Sequence, residues 1–375
     1  MAHVLINGIS AKSGGGRSIL TNFLSVLNAR GSKHRFSVTV PDAESYATFA
    51  SANVRLLPMP VLSKTMLLPL AASTALPRMI RRHCCDLVFN LADIPIRTRT
   101  TQIFLFDWPH AAYPQSPAWK RGDFADTVKR RMKLHFFRSY LRYIDVMIAQ
   151  GPAIRDRLMS LYGIDRMPVV PNAVSLDNLS AVGSYDFALG GGFKLLCLSH
   201  YYSHKNLEIF VPLAELIRER QLDLKIVITI DAGQGQGAHE LLTTIAERKL
   251  GDIIINVGPV PMARVPGLYR QTDALLLPTL LESFSGTYVE AMFHGKPIFT
   301  SHYEFALDVC KDAAFYFDPL DAGDILDKVG FAFVHPEERA KRVAEGRRLL
   351  EGMMNWNQAF DAYLALIDET LAEQP

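Results

Sequence analysis

The sequence predicts an α/β fold built from two doubly wound parallel sheets. Three observations carry that expectation. Short apolar or β-branched runs alternate with longer amphipathic ones, as strands do with crossover helices. The alternation starts twice, once at the first residues and again after a glycine-rich stretch near the middle. The 375 residues suffice for about two domains, each with its own core.

In the first half, residues 4–7, 36–40, 87–90, 102–106 and 146–149 read as strands, and 18–29, 127–144 and 152–161 as helices. In the second half, 193–199, 225–229, 253–256, 274–278 and 297–300 read as strands, and 207–220, 238–248, 265–269, 285–294 and 323–333 as helices. Residues 180–192, with Gly183, Gly190, Gly191 and Gly192, form the junction, and Val170-Pro171-Asn172-Ala173-Val174 the hinge. This predicts an N-terminal domain over 1–170, a C-terminal one over 171–350, and a final amphipathic helix from Trp356 within 351–375. Ligands of such sheets sit beyond the carboxyl ends of the strands, so two facing edges predict a cleft.

Composition excludes several function classes. A net charge of +2 and 21% charged residues are too balanced for a dedicated nucleic-acid binder, and 49% apolar residues too many for a disordered chain. Cys84, Cys85, Cys197 and Cys310 form neither a disulfide framework nor a metal-binding pair, which points to a reducing compartment. Met1-Ala2-His3-Val4-Leu5-Ile6 reads as a first strand rather than a signal peptide. The apolar stretch 66–76 is interrupted by Pro69, Ser73 and Thr74 and is too short to span a bilayer. The expected location is the cytoplasm.

The most informative segment lies at 274–297. A strand ends at Pro278, a loop carries Glu282, and a helix starts near Ser285-Gly286 with Ser283 or Ser285 as its cap. That helix stops at Gly295, before Pro297. Backbone N–H groups of Gly286, Thr287 and Tyr288 would face the cleft, and a helix start without a bulky side chain seats a diphosphate. Glu282 and Glu290 flank that seat, and a carboxylate accepts two hydrogen bonds from a vicinal diol. The pattern fits a sugar–diphosphate–ribose ligand.

Glu282 and Glu290 match the E-x7-E motif of the retaining GT-B glycosyltransferases, and the flanking Pro278-Thr279, Ser283-Phe284-Ser285, Glu290-Ala291-Met292 and Gly295-Lys296-Pro297 resemble family 4 (glycosyltransferases group 1). The likeness spans most of 165–320. It implies a GT-B fold of two Rossmann-like domains, with Glu290 on the ribose hydroxyls and Glu282 on those of the donor sugar. Ser199-His200-Tyr201-Tyr202-Ser203-His204-Lys205-Asn206 occupies the place of the family's glycine–arginine…lysine–asparagine segment. The resemblance therefore puts Lys205 and Asn206 at the donor phosphates, with His200 where the family has arginine. Asn256-Val257-Gly258-Pro259-Val260 resembles the turn that meets the nucleobase through its backbone, at Val260.

In the first half, Ser13-Gly14-Gly15-Gly16-Arg17-Ser18 resembles the family's N-terminal glycine loop, near donor phosphate or acceptor, with Gly16 as the contact. His110 or Asp107, beyond the strand at 102–106, matches the family position near the transferred sugar. Residues 120–142 carry eight Lys/Arg and two Asp, with Val128, Met132, Phe136, Phe137, Tyr140 and Leu141 at helical spacing. Such a helix is either a crossover helix with solvated charges or a dock for an anionic membrane face.

The expectation is a metal-independent retaining enzyme without a resident cofactor. It would move a hexose, with a lean toward mannose-like sugars, from a GDP- or UDP-linked donor to a glycan or lipid-linked saccharide. Two readings compete: a nicotinamide-dependent oxidoreductase, which leaves Glu282 and Glu290 unexplained, and a non-catalytic sugar-nucleotide-binding subunit.

Overall fold

The computed structural model describes residues 1–12, 14–173, 179–180 and 185–373. Ser13, Val174 and Gly183, which belong to the expected glycine loop, hinge and junction, lie outside the described residues. In chain order the first elements are β1 (His3–Asn7), α1 (Gly14–Arg30), β2 (Arg35–Val40), β3 (Val54–Pro58), α2 (Leu68–Leu70), α3 (Leu76–Arg82), β4 (Leu87–Asn90), β5 (Gln102–Leu105), α4 (Phe124–Tyr140), β6 (Val146–Ile148) and α5 (Pro152–Tyr162). They continue with β7 (Phe193–Cys197), α6 (Phe210–Glu219), β8 (Leu224–Ile228), α7 (Gln236–Glu247), β9 (Ile254–Asn256), α8 (Val265–Gln271), β10 (Ala274–Leu277) and α9 (Gly286–Phe293). The last are β11 (Ile298–Ser301), α10 (Glu304–Cys310), β12 (Ala314–Phe317), α11 (Ala322–Val334), α12 (Pro336–Glu351) and α13 (Trp356–Ala372).

The chain divides into two compact units. Unit 1 comprises Met1–Pro114, Asp123–Ala173 and Met354–Pro375; unit 2 comprises Gln115–Gly122 and Val174–Met353. Each holds a six-stranded sheet, in the orders β3-β2-β1-β4-β5-β6 and β12-β11-β10-β7-β8-β9. Every pairing within these sheets is parallel. Counted from its own first strand, each sheet has the doubly wound order 3-2-1-4-5-6, whose direction of winding reverses between the first and fourth strands.

Strands β4, β5 and β10 are buried throughout, and this is why they read as continuous apolar runs. The two strands that the apolar pattern did not announce, β3 and β12, are both sheet edges. β3 exposes Arg55 and Pro58, residues tolerated where one side of a strand has no partner.

In unit 1, one face of the sheet packs against α1 and α13, with Phe23 5.0 Å from Phe360 and Phe89 5.4 Å from Tyr363 between ring centres. The other face packs against the helical segment around Leu68, Leu76 and Ile80. In unit 2 a single core joins α6, α7, α8, α9 and α11 to the sheet.

Two local expectations need correction. Helix α1 begins at Gly14, so Gly14, Gly15 and Gly16 form its first turn instead of a loop ahead of it. Helix α4 starts at Phe124, earlier than 127, because the Asp123 carboxylate accepts the Asp126 N–H at 2.7 Å and caps it there.

Candidate active site

In unit 2 the winding reverses between β7 and β10, which are paired neighbours. Two loops leaving the carboxyl ends of adjacent strands must diverge at that point and open a crevice. Those loops carry Ser199–Asn206 and Pro278–Ser285, so the topology alone gathers most of the candidate donor residues.

The loops are stitched together by their backbones. The Leu280 N–H donates to the His204 carbonyl at 2.7 Å, and the Thr279 hydroxyl reaches the same oxygen at 3.3 Å. Lys205 donates from Nζ to Glu282 Oε1, both side chains being largely buried. Lys205 sits in a 3₁₀ turn, Ser203–Lys205, while α6 starts only at Phe210; it is a loop residue, not part of a helix start.

Asn206 follows in the left-handed region at φ 56°, which asparagine tolerates better than most residues. Its side chain is fully buried and hydrogen-bonded at both ends. Nδ2 donates to the carbonyls of Pro278 (3.3 Å) and Pro319 (2.7 Å), and Oδ1 accepts from Arg121 Nη2 at 2.9 Å. Asn206 thus binds three loops of unit 2 to one another.

Helix α9 begins at Gly286, with Ser285 at the N-cap position. The Ser285 hydroxyl does not cap the backbone; it bonds the Thr287 hydroxyl at 2.8 Å. Of the three N–H groups expected to be open, that of Tyr288 bonds the Ser285 carbonyl at 3.2 Å. Those of Gly286 and Thr287 have no acceptor among the described residues. The Tyr288 ring is buried instead, its hydroxyl 2.7 Å from Thr300 Oγ1, and anchors α9 to the sheet. After α9, Gly295 takes φ +61°, and the Lys296 N–H closes the last turn on Ala291 O at 2.8 Å.

Glu282 and Glu290 are 7% and 8% exposed, unusual for carboxylates without a full set of partners. Burial pushes the Glu290 pKa up to about 7, partly offset by the Tyr269 hydroxyl, which donates to Oε2 at 3.2 Å. Tyr269 stacks on His294 with ring centres 4.7 Å apart, and burial holds His294 down at about 4. Glu290 therefore lies in an apolar wall with one donor, poised between its two protonation states at neutral pH.

His200 is exposed, with its ring 4.8 Å from that of Tyr202. Partial burial lowers its pKa from the ordinary histidine value. Val260 is half-buried against the unit 2 core. The turn before it is shaped by Asn256, which pairs with both backbone groups of Ile230 and accepts the Gly258 N–H at 3.1 Å.

Two candidates belong to unit 1. A Cβ at Gly16 would meet open space, whereas one at Gly15 would meet Asp107 Oδ2 at 3.5 Å. Asp107 is itself held by Gln150 Nε2 at 2.8 Å. His110 is buried in the short turn Pro109–Ala111 and stacked on Trp108 at 5.6 Å. Burial first, then the charges of Arg130 and Lys133, press its pKa down to about 3, so it is neutral throughout the physiological range. Among the described residues no group of three or more His, Cys, Asp or Glu side chains is placed to share a metal ion.

Two family models match, one described as glycosyl transferases group 1 over residues 188–349 and one as glycosyltransferase family 4 over residues 13–178. The chain is a group 1 glycosyltransferase of the GT-B fold.

This group 1 glycosyltransferase is 29% identical over 161 residues to a D-inositol 3-phosphate glycosyltransferase of Paenarthrobacter aurescens, covering 40% of this chain and 39% of the relative. A namesake from Xylanimonas cellulosilytica is 23% identical over 62% of this chain and 58% of its own. The chain thus spans about two fifths of the length of the first of these relatives. A glycosyltransferase from Rickettsia africae has the same fold at TM-score 0.74 and 15% identity, covering 100% of this chain and 99% of its own. HepE from Anabaena, solved with UDP-glucose, matches at TM-score 0.74 and 15% identity over 98% and 100%.

Three residues that hydrogen-bond to the candidate site gave no signal in the sequence. Tyr269 reaches Glu290 from α8, and Arg121 and Ser116 come from a segment far upstream. Ser116 donates to the Leu280 carbonyl at 3.2 Å, so residues 115–122 buttress both loops of the crevice. Contacts over such sequence separations leave no local pattern.

Proposed function

We propose that this chain transfers a hexose from a nucleotide diphosphate sugar to a hydroxyl of a glycan or lipid-linked saccharide, with retention of configuration and without a metal ion. The single observation that carries the reading is the pairing of Lys205 with Glu282 beside the open amides of Gly286 and Thr287, with Glu290 buried one turn further on. The diphosphate takes the two amides and the Lys205 ammonium, which is released from Glu282 as the donor enters. Glu282 then accepts hydrogen bonds from the sugar hydroxyls and Glu290 from the ribose hydroxyls.

As the glycosidic bond breaks, negative charge grows on the leaving diphosphate, and Lys205 and the start of α9 stabilise it. Front-side attack lets a leaving phosphate oxygen take the proton of the acceptor hydroxyl while the new glycosidic bond forms, so no separate base is required. Asn206 acts in this reading as the residue that fixes Lys205. His200, Val260 and Gly16 flank the donor in this reading, and His110 lies near the transferred sugar. The UDP-glucose bound by HepE supports a nucleotide sugar as the ligand class.

Helix α4 leaves Phe124 84% and Val128 40% exposed beside Lys129 and Arg131, which supports peripheral contact with an anionic cytoplasmic membrane face. No helix among the described residues is long and apolar enough to cross a membrane.

A thermal-shift panel of UDP, GDP, ADP and their sugars tests the proposal, since a ligand that binds only the folded chain raises Tm. One nucleotide is expected to stabilise the wild type, and Glu290→Ala to erase most of that shift. A transition that no nucleotide moves removes the donor site. Enhancement of NADH fluorescence would favour the oxidoreductase instead.

A further inference from the structure

The amino-terminal edge of the unit 1 sheet carries a feature unrelated to the donor site. His3, Arg35 and Arg55 stand at the starts of β1, β2 and β3, and the register pairs His3 with Arg35 and Ser37 with Arg55. Paired residues, and residues two apart on one strand, share a face of a sheet, so these four side chains share one. They line a cavity of about 180 Å³ together with Phe36, Ser51, Ala52 and Asn53.

The polar framework of the cavity is preset. His3 Nδ1 lies 2.9 Å from the His83 carbonyl, which can only accept, so Nδ1 carries the proton. In the neutral ring Nε2 then accepts from the Ser37 hydroxyl at 2.9 Å. The Asp86 carboxylate is engaged with the His3 backbone N–H at 2.8 Å. Arg35 and Arg55 enter no ion pair among the described residues, although both line the cavity. Positive charge collects here: besides burial, the nearby Arg55, His3 and Arg82 keep the His83 pKa below 6.5.

Two guanidinium forks on a concave surface match a tetrahedral dianion in geometry and charge. A space of about 180 Å³ is below the ~300 Å³ at which pockets for drug-sized ligands begin and suits a single phosphate group. We propose that Arg35 and Arg55, above a floor that includes His3, form a binding site for a phosphate monoester, on the sheet edge opposite to the one carrying Gly16 and Asp107. The phosphate belongs either to a small soluble molecule or to a lipid headgroup.

The test follows the His3 and His83 imidazole resonances of the full chain by NMR while inorganic phosphate is added at fixed pH and ionic strength. Both are expected to shift saturably. Arg35→Ala/Arg55→Ala should weaken the apparent affinity about tenfold or more, as expected for lost charge-assisted hydrogen bonds. Lys205→Ala should leave it unchanged. Arg35→Lys/Arg55→Lys, which keeps the charge and loses the forks, should fall in between. A parallel arm uses phosphatidylcholine vesicles carrying phosphatidic acid: shifts with free phosphate support a soluble ligand, and shifts with the vesicles alone support a lipid. Resonances that stay put in both arms, or that move equally in the double alanine variant, overturn the site.

Discussion

Lys205 and Glu282, 77 residues apart, form a largely buried ion pair between the loops that follow two adjacent parallel strands. Such a pair is a poor investment in stability, because desolvation of both charges consumes most of their attraction. It does hold a cation and a carboxylate side by side at the mouth of two adjacent strands.

Glu282→Gln and Lys205→Ala therefore separate the two roles. Lys205→Ala should lower kcat by about 10²–10³-fold, the range for loss of a group that stabilises a developing anion. Glu282→Gln keeps the shape and a hydrogen-bonding side chain but frees the ammonium, so nucleotide diphosphate affinity should hold while sugar transfer falls. Steady-state kinetics beside calorimetry with the bare nucleotide check this; equal losses in both variants would contradict the separation.

On the proposed assignment of Glu290 to the ribose hydroxyls, donor binding should depend on pH. Its pKa in the folded chain is about 7, above the ordinary 4.5, so burial favours the protonated form. The associated stability is complete below about pH 4.5 and is lost as pH rises through about 7. Binding to ribose hydroxyls needs the ionised form, so nucleotide affinity should rise with pH up to about 7 and fall about tenfold per unit below it. Binding near pH 7 should also release a proton. Calorimetry in buffers of different ionisation enthalpy measures both effects, and Glu290→Gln should abolish them.

Tyr269→Phe removes the hydroxyl that donates to Glu290 Oε2. With a net worth of about 1 kcal/mol for such a bond, the Glu290 pKa should rise by roughly 0.7 unit. The pH profile of nucleotide binding should move upward by that amount while its plateau at high pH persists. A plateau lost in the variant would mean that Tyr269 touches the ligand itself.

Asn206→Ala strips two carbonyls and one guanidinium of their partner and leaves a left-handed backbone to alanine. Destabilisation of about 2–4 kcal/mol is expected from these terms together. Asn206→Gly, free of the backbone strain, should cost about 1 kcal/mol less. Urea unfolding distinguishes them; a neutral alanine variant would show that the loops hold without this side chain.

The sequence by itself determined the strand-and-helix alternation, because each central strand is buried on both faces and each helix on one, and these environments impose their own periodicities on a short stretch of chain. It likewise marked the start of α9 and its end at Gly295, where local backbone chemistry dictates residue type. Tertiary structure alone decided that the 203–206 and 278–282 loops lie together, since strand order within a sheet is a property of the whole chain. It also decided that Asn206 is a brace, that Tyr269 faces Glu290, and that the segment 115–122 joins unit 2. Edge strand β3 and the arginine-lined cavity escaped the sequence for a common reason. Their side chains meet solvent or distant strands, and neither imposes a period that neighbouring residues record.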